Sequence, residues 1–315
     1  MTLICILCWS AADIFYKKGS AFSDKLSHMK IMVWLGIVMG ITAILLLPLS
    51  EVGLSLVGIV IHYREYIPVA VLYVLALLSG TVGSRYLDVS LTSPLENIDG
   101  AVAALILLLY FSFTGGLGEG THLTVWNIGS ILFVTVGVVL LGIQEHRLSQ
   151  QEKAAAMSGQ RRHALGAIAF IFPLLYTLVD ACSMVFESIV LAGGEDAIAG
   201  QFDFLICECT AFALAGLISW LYLLVVKKTA YNPFQKGELV KCGAALTETM
   251  GNISYAMAAA ANPLLTPPVT TGYCVLTILG ARLFLKEKLT GRQYLCLALV
   301  LAGVVLSAAA ELLKG

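Results

Sequence analysis

Charge is what this sequence has least of. Only 12% of its 315 residues are Asp, Glu, Lys or Arg, roughly half the usual charged fraction. That excludes an ordinary soluble domain. The net charge is −1, so the electrostatic footprint of a nucleic-acid binder is missing too. There is no His-Glu-x-x-His and no Gly-x-Ser-x-Gly, which removes two common hydrolase signatures. The glycine-rich stretch 115–120 has no P-loop lysine after it and follows no strand, so nucleotide binding and ATP-driven pumping are disfavoured. All five histidines (His28, His62, His122, His146, His163) fall in or beside loops, which takes histidine acid–base chemistry out of the apolar interior. Cys5-x-x-Cys8 has no second pair or histidine nearby, and nearly all eight cysteines sit inside apolar runs. They read as small packing residues, not as a disulfide framework or a metal site. No basic n-region precedes the apolar start, so a cleaved signal peptide is not expected. Neither a cofactor nor a metal is implied.

Apolar sequence is what the chain has in quantity: 59% of residues are hydrophobic. Apolar segments fall at 2–23, 30–50, 66–88, 93–113, 124–143, 163–192, 201–226, 239–261, 264–285 and 291–312. Each is about the ~20 residues a membrane helix needs. Continuous runs of that length favour helices over the short alternating strands of a barrel. The longest polar stretch, 144–163, splits the chain into a first block (1–150) and a second (151–315) of five segments each.

The blocks resemble each other in order. Ser93-Pro94-Leu95 matches Asn262-Pro263-Leu264, with Glu119 and Glu287 placed 25 and 24 residues after their prolines. Leu123-Thr124 and Leu289-Thr290 each precede a Gly-Val-Val-Leu, with 13 residues from Thr124 to Gly137 and from Thr290 to Gly303. Trp9-Ser10-x-x-Asp13 matches Tyr176-Thr177-x-x-Asp180, and Tyr86 and Tyr255 each stand eight residues before a matched proline. An odd number of helices per repeat inverts the second copy. The expected fold is therefore an all-α integral membrane protein of ten transmembrane helices in two inverted five-helix repeats, together forming one domain. Inverted repeats of this kind mark secondary transporters. Loops after odd-numbered segments carry 17 of the 19 Lys and Arg. The positive-inside rule makes those loops cytoplasmic and puts both termini outside a plasma membrane.

These features together resemble the EamA-type permeases of the drug/metabolite transporter superfamily. They comprise the Trp-Ser of the first segment, the proline heading the fourth and ninth, and Glu-x-Leu-Thr before Gly-Val-Val-Leu. The run from Phe284 through Lys286-Glu287-Lys288-Leu289-Thr290 matches best, and the glycine-rich 115–120 stretch departs from the pattern. The resemblance implies a ten-helix carrier of small metabolites such as amino acids, nucleotide-linked sugars, cations or drugs. It also implies termini in the cytoplasm, against the charge count.

Acids within membrane segments are functional candidates by default, because each is costly there. Trp9, Asp13 and Lys17 share one helix face, with Tyr16 beside it. An aromatic wall next to a carboxylate suits an amine; the other reading is an Asp13–Lys17 ion pair. Tyr176, Asp180 and Glu187 share a face, Glu187 being either part of it or solvated at a helix end. Glu96, Asn97 and Asp99 follow Pro94 and precede Gly100. They sit either at a broken helix whose positive N-terminus points into a cavity, or in a water-exposed loop. Arg85 and Asp88 read as an ion pair. Thr266, Thr270, Tyr273 and Thr277 line one face of the ninth segment, as substrate contacts or as hydroxyls bonded to their own helix. Glu248, Asn252 and Tyr255 line one face of the eighth. Glu248, deep in its run, is the candidate proton-coupling carboxylate or else a helix–helix contact. Glu208 is a weaker candidate. Glu119 and Glu287 read as anchors.

The expected function is secondary transport of a small cationic or zwitterionic, amine- or amino-acid-like metabolite by alternating access, with proton coupling. The substrate-binding set is Trp9, Asp13, Tyr16, Tyr176, Asp180, Glu96, Asn97, Asp99, Asn252, Thr270 and Tyr273. The alternative is an intramembrane aspartyl hydrolase using Asp13 and Asp180. The expected partners are the small-molecule substrate and the lipid bilayer, with the chain a monomer or homodimer. Specificity is expected where Leu265-Thr266-Pro267-Pro268 of the second half faces Glu96-Asn97-Ile98-Asp99 of the first.

Overall fold

Backbone N–H and C=O groups in an apolar surrounding must pair within their own segment, which leaves helix as the local solution for runs of this length. A computed structural model describes residues 1–20, 24–53, 55–62, 64–87, 89–114, 125–155, 171–191, 201–262, 265–285 and 290–312. Among them there are helices and no strand. In chain order they are α1 (Thr2–Gly19), α2 (Ser27–Leu46), α3 (Leu56–His62), α4 (Ile67–Tyr86), α5 (Val89–Glu96), α6 (Asp99–Thr114) and α7 (Val125–Ala155). Then follow α8 (Ile171–Leu191), α9 (Gln201–Leu221), α10 (Leu239–Ala261), α11 (Thr266–Thr270), α12 (Tyr273–Gly280) and α13 (Gly291–Leu312). Asp88, Glu119 and Glu287 lie outside the described residues, and with them the Arg85–Asp88 pair and the two anchor glutamates.

Among the described residues four helical stretches are long and apolar enough to cross a membrane: Ser27–Leu49, Ile67–Tyr86, Ile171–Ile189 and Phe202–Val226. Shorter apolar helices run over Val102–Phe111, Ile128–Gly137, Tyr273–Leu285 and Tyr294–Gly303. The outward faces are apolar: Leu7, Leu45, Leu75, Leu105, Phe113, Leu178, Ile218 and Leu295 are all exposed. The carboxyls of Glu96, Asp99, Asp180, Glu187, Asp203, Glu208 and Glu248, by contrast, are buried. That inverts the distribution expected of a protein in water. α1 and α10 are less apolar, carrying Asp13, Lys17 and Lys18, and Lys241, Glu248 and Asn252.

Small residues set the helix pairs. α2 packs most closely on α9, α7 on α13, α1 on α10 and α4 on α8. At the α2–α9 crossing a Cβ on Gly36 would stand 2.6 Å from the Gly216 Cα, and the reverse distance is also 2.6 Å. The α7–α13 crossing is reciprocal in another way. A Cβ on Gly137 would meet Val300 Cγ2 at 2.5 Å, and one on Gly303 would meet Val134 Cγ2 at 2.7 Å. α6 packs on α8, and α1 on α12.

Two apolar segments are broken. α5 does not begin at Ser93 as the proline pattern suggests; it starts at Val89, runs through Pro94 and ends at Glu96, with a turn at Asn97–Ile98 before α6. Proline removes an N–H and crowds the carbonyl four residues back. The break is closed by a tighter bond from the Ile98 N–H to the Leu95 carbonyl (3.4 Å) and by Asn97 Nδ2 to the Ser93 carbonyl (2.7 Å). α11 and α12 are likewise separated by a turn at Thr271–Gly272, after Pro267-Pro268.

Several basic residues gather at one end, while Arg64 lies at the other, before the start of α4. Arg85, at the end of α4, donates to the Lys25 carbonyl (3.2 Å). Lys18 lies over the Phe284 ring, and Lys30 over Tyr231, whose hydroxyl donates to Glu238, the ion-pair partner of Lys241 at 2.6 Å. This is called the basic end below.

Candidate functional site

Two narrow chambers lie among α1, α4, α8 and α10. The one toward the basic end reaches Ser84, near the end of α4, and is lined by Asp13, Tyr16, Glu96, Asp99, Tyr176, Glu248 and Tyr273. The far chamber reaches Val69 and Ala70, at the start of α4, and is lined by Ser183, Glu187, Phe204, Glu208, Asn252 and Tyr255. Trp9, Tyr73, Asp180 and Met184 line both. The free space is about 30 Å³ in the first and 20 Å³ in the second, on the order of one or two waters each.

Each side chain is placed by its helix and held by a neighbour. Glycine at position 251 lets the Trp9 ring lie flat on α10; a Cβ there would stand 2.3 Å from Trp9 Cδ1. Trp9 Nε1 donates to Asn252 Oδ1 (3.0 Å), and its ring sits 5.2 Å from Tyr255 and 5.7 Å from Tyr273. Asn252 Nδ2 donates onward to Glu208 Oε1 (2.9 Å). Glu248 accepts from the Tyr16 hydroxyl (3.0 Å) and from the Tyr73 hydroxyl, which also lies 2.9 Å from Asn252 Oδ1. Glycine at position 80 makes room for the Tyr176 ring, 2.8 Å from where a Cβ would be.

Asp13 joins the two halves of the chain. Its Oδ2 accepts from Ser93 Oγ on α5 (3.0 Å) and from Thr277 Oγ1 on α12 (3.1 Å). The expected alternative, an ion pair with Lys17, is not what forms. Lys17 Nζ turns to the carbonyls of Ser84 (3.0 Å) and Leu87 at the end of α4. Asp180 stands beside Tyr176 and Asp99, close enough for the carboxyls to act on each other. Two neighbouring carboxyls in a buried site resist both being ionised.

Several open readings close here. Glu96 and Asp99 are buried, 7% and 3% exposed, so the water-exposed loop is ruled out. Glu187 is buried and lines the far chamber instead of being solvated. Two members of the expected binding set are not on either chamber wall. Thr270 is fully buried, and its hydroxyl returns to the carbonyls of Thr266 (2.9 Å) and Pro267 (3.0 Å), the back-bonding that a helix threonine favours when no partner faces it. Asn97 is used in closing the α5–α6 break. Trp9, Asp13, Tyr16, Glu96, Asp99, Tyr176, Asp180, Glu248, Asn252 and Tyr273 all line the chambers.

Tyr73 and Ser93 were missing from the expected set. Tyr73, Leu77, Gly80 and Ser84 recur at i, i+4, i+7 and i+11 of α4 and all line the basic-end chamber. That face was readable in the sequence. The Ser93–Asp13 contact was not, because it depends on how two helices cross.

No family model matches the chain, and no curated protein matches it. A solved structure described only as "Crystal structure of protein" is similar over the whole of this chain and 97% of its own, with a TM-score of 0.61 and 13% sequence identity. At that identity the likeness shows a shared helical fold and nothing of activity.

Proposed function

We propose that the chain is a secondary transporter of a small cationic or zwitterionic metabolite, of the EamA type in the drug/metabolite transporter superfamily. The observation that carries this is the lining of the paired chambers: Asp13, Glu96, Asp99, Asp180, Glu187, Glu208 and Glu248, with no lysine or arginine among the described lining residues. So many carboxyls in one buried site without a basic partner are too costly to persist for packing alone. A cation or protons delivered to that site account for it.

The inverted ten-helix arrangement has support in the packing. α1–α10 and α4–α8 are equivalent pairs under exchange of the two halves, as are α6–α8 and α1–α12. Gly137 against Val300 and Gly303 against Val134 exchange exactly matched positions. The gathering of basic loops at one end supports a cytoplasmic assignment for that end. A thiol placed at exposed Asn232 in the 227–238 loop then reacts with an impermeant reagent only in permeabilised cells; reaction in intact cells reverses the orientation.

In this reading, protons or substrate compete for the Glu248–Tyr16–Tyr73 group, and the halves rock around Trp9 and Asp180. Reconstituted protein is expected to carry amines or amino acids across liposomes, with flux lost in Asp13→Asn and Asp180→Asn. A second reading has its own observation. The carboxyl pair Asp99–Asp180 resembles a hydrolase dyad, whereas Asp13, expected as the partner of Asp180, is held by Ser93 and Thr277. Peptide cleavage that disappears in Asp99→Asn, with no solute flux in the parent protein, selects the hydrolase.

A further inference from the structure

The chambers share a waist and differ at their ends. Trp9, Tyr73, Asp180 and Met184 form the waist. Toward the basic end stand the carboxyls of Asp13, Glu96, Asp99 and Glu248; on the far side stand Glu187 and Glu208. Among the described residues no three His, Cys, Asp or Glu side chains converge closely enough to hold a metal ion. The negative groups are strung out along the site instead of gathered at a point. Asp180 and Glu187 lie on one face of α8, seven residues apart, which is about 10 Å along a helix axis.

Two buried polar atoms at opposite ends of this line have no protein partner. Glu96 Oε1 lies at the basic-end chamber, and the Tyr255 hydroxyl at the far one. Their residues are only 7% and 3% exposed. An unpaired buried acceptor is expensive, and here there is one on each side of an aromatic waist.

Resting on the transporter reading, we propose that the site takes a linear diamine. One ammonium sits among the basic-end carboxylates with Glu96, the other with Glu187, Glu208 and the Tyr255 hydroxyl oxygen. The alkyl chain crosses the waist against Trp9, Tyr73 and Met184. An ammonium has three donors and no acceptor, which matches both ends. Aromatic faces receive both the chain and its cationic ends. The carboxylate of an amino acid would face acids at whichever end it entered. Asp180 at the waist and Glu187 on the far side are about 10 Å apart along α8, so a chain reaching from the far carboxylates past the waist needs at least about five carbons at ordinary bond lengths.

The test is binding to the purified full-length protein in detergent, read by thermal shift and radioligand, with flux in proteoliposomes measured separately. Cadaverine and hexamethylenediamine are compared with hexylamine. The diamines are expected to bind roughly ten-fold or more tightly, as a second charge-assisted contact implies. In Glu187→Gln and in Glu208→Gln that ratio falls toward one, with the unliganded melting temperature checking that each variant is folded. Tyr255→Phe keeps the ring and lowers the ratio less, and it reads the same quantity if a glutamate variant does not fold. Equal affinity for hexylamine and the diamines overturns the inference, as does flux of other solutes with no amine bound; both leave the transporter reading standing. Diamine binding with no flux of any solute overturns the transporter and keeps the ligand class.

Discussion

Glu248 is a buried carboxyl that ties three helices together. It receives two tyrosine hydroxyls, Tyr16 from α1 and Tyr73 from α4. Glu248→Ala strands the Tyr16 hydroxyl, at a cost of roughly 1–3 kcal/mol, and leaves Tyr73 only Asn252 Oδ1 as acceptor, so the melting temperature in detergent should fall clearly. Glu248→Gln keeps an acceptor for them and should melt close to the parent. If Glu248 handles the proton, Glu248→Gln nevertheless loses dependence of flux on a pH gradient. Equal melting of the two variants would show that the hydroxyl contacts contribute little. The legible part of the site follows from the same geometry. Trp9, Asp13 and Tyr16, or Tyr176 and Asp180, are spaced to share a face, and a single helix fixes that spacing whatever it packs against. Thr270 obeyed the same spacing and still turned inward to its own helix. Periodicity says which residues share a face, and not whether anything polar lies opposite.

At the scale of elements, the pairings that periodicity leaves open are decided by crossings of small residues. Gly36 and Gly216 are the clearest case, because what a Cβ would meet is backbone, which does not give way. Gly36→Ala is expected to destabilise by about 1–3 kcal/mol, the range for overpacking, and Gly216→Ala similarly. The double variant should cost less than the sum, since either methyl alone already separates α2 from α9. Unchanged melting of Gly36→Ala would mean that the helices are free to slide. The start of α2 supplies a pH test outside the apolar segments. Asp24 accepts from the Leu26 N–H (3.0 Å) and pairs with Lys30 at 2.7 Å. Partial burial opposes its ionisation, but the Lys30 and Leu26 hydrogen bonds prevail and hold its carboxyl below the usual range. A depressed folded value gives stability that is complete above the unfolded value of about 4. It is lost as pH falls through the folded one. The pair is partly exposed, so Asp24→Asn is expected to cost only about 0.2–1 kcal/mol near neutral pH. The difference should vanish in acid melts; a difference that persists at low pH would assign the effect to something other than the ion pair. The breaks at Asn97–Ile98 and Thr271–Gly272 were legible as breaks, from their prolines, but not in position. Helix continues for two residues past Pro94, Leu95 and Glu96, before the turn, which is closed by the Ile98 N–H on the Leu95 carbonyl and by Asn97 Nδ2 on the Ser93 carbonyl.

For the molecule as a whole, the volumes of the chambers set the mechanism that has to follow. Room for one or two waters does not admit an amine of several carbons, so the proposed binding would require the helices around the waist to part. At the basic end Asp13 ties to the second half through Thr277, and Thr177 Oγ1 donates across to the Leu95 carbonyl (2.8 Å), while Ser93 and the end of α4 hold Asp13 and Lys17 within the first half. On the far side Ser183 Oγ donates to the Val69 carbonyl (3.2 Å), and Tyr66 packs edge-on against Phe204 at 5.0 Å. If these are alternate gates, opening one leaves the other closed. Single cysteines at Thr81, for the basic-end chamber, and at Ala70, for the far one, report this in a background freed of the native cysteines. An impermeant thiol reagent is expected to reach Thr81→Cys from the basic end only, and Ala70→Cys from the far side only. Asp13→Asn weakens the basic-end gate by replacing a charge-assisted pair of hydrogen bonds with neutral ones. It should therefore raise labelling at position 81 and lower it at position 70, since a two-state carrier that favours one opening must depopulate the other. Both rates rising together would describe a leak through loosened helices, and neither changing would place the gate elsewhere than at Asp13.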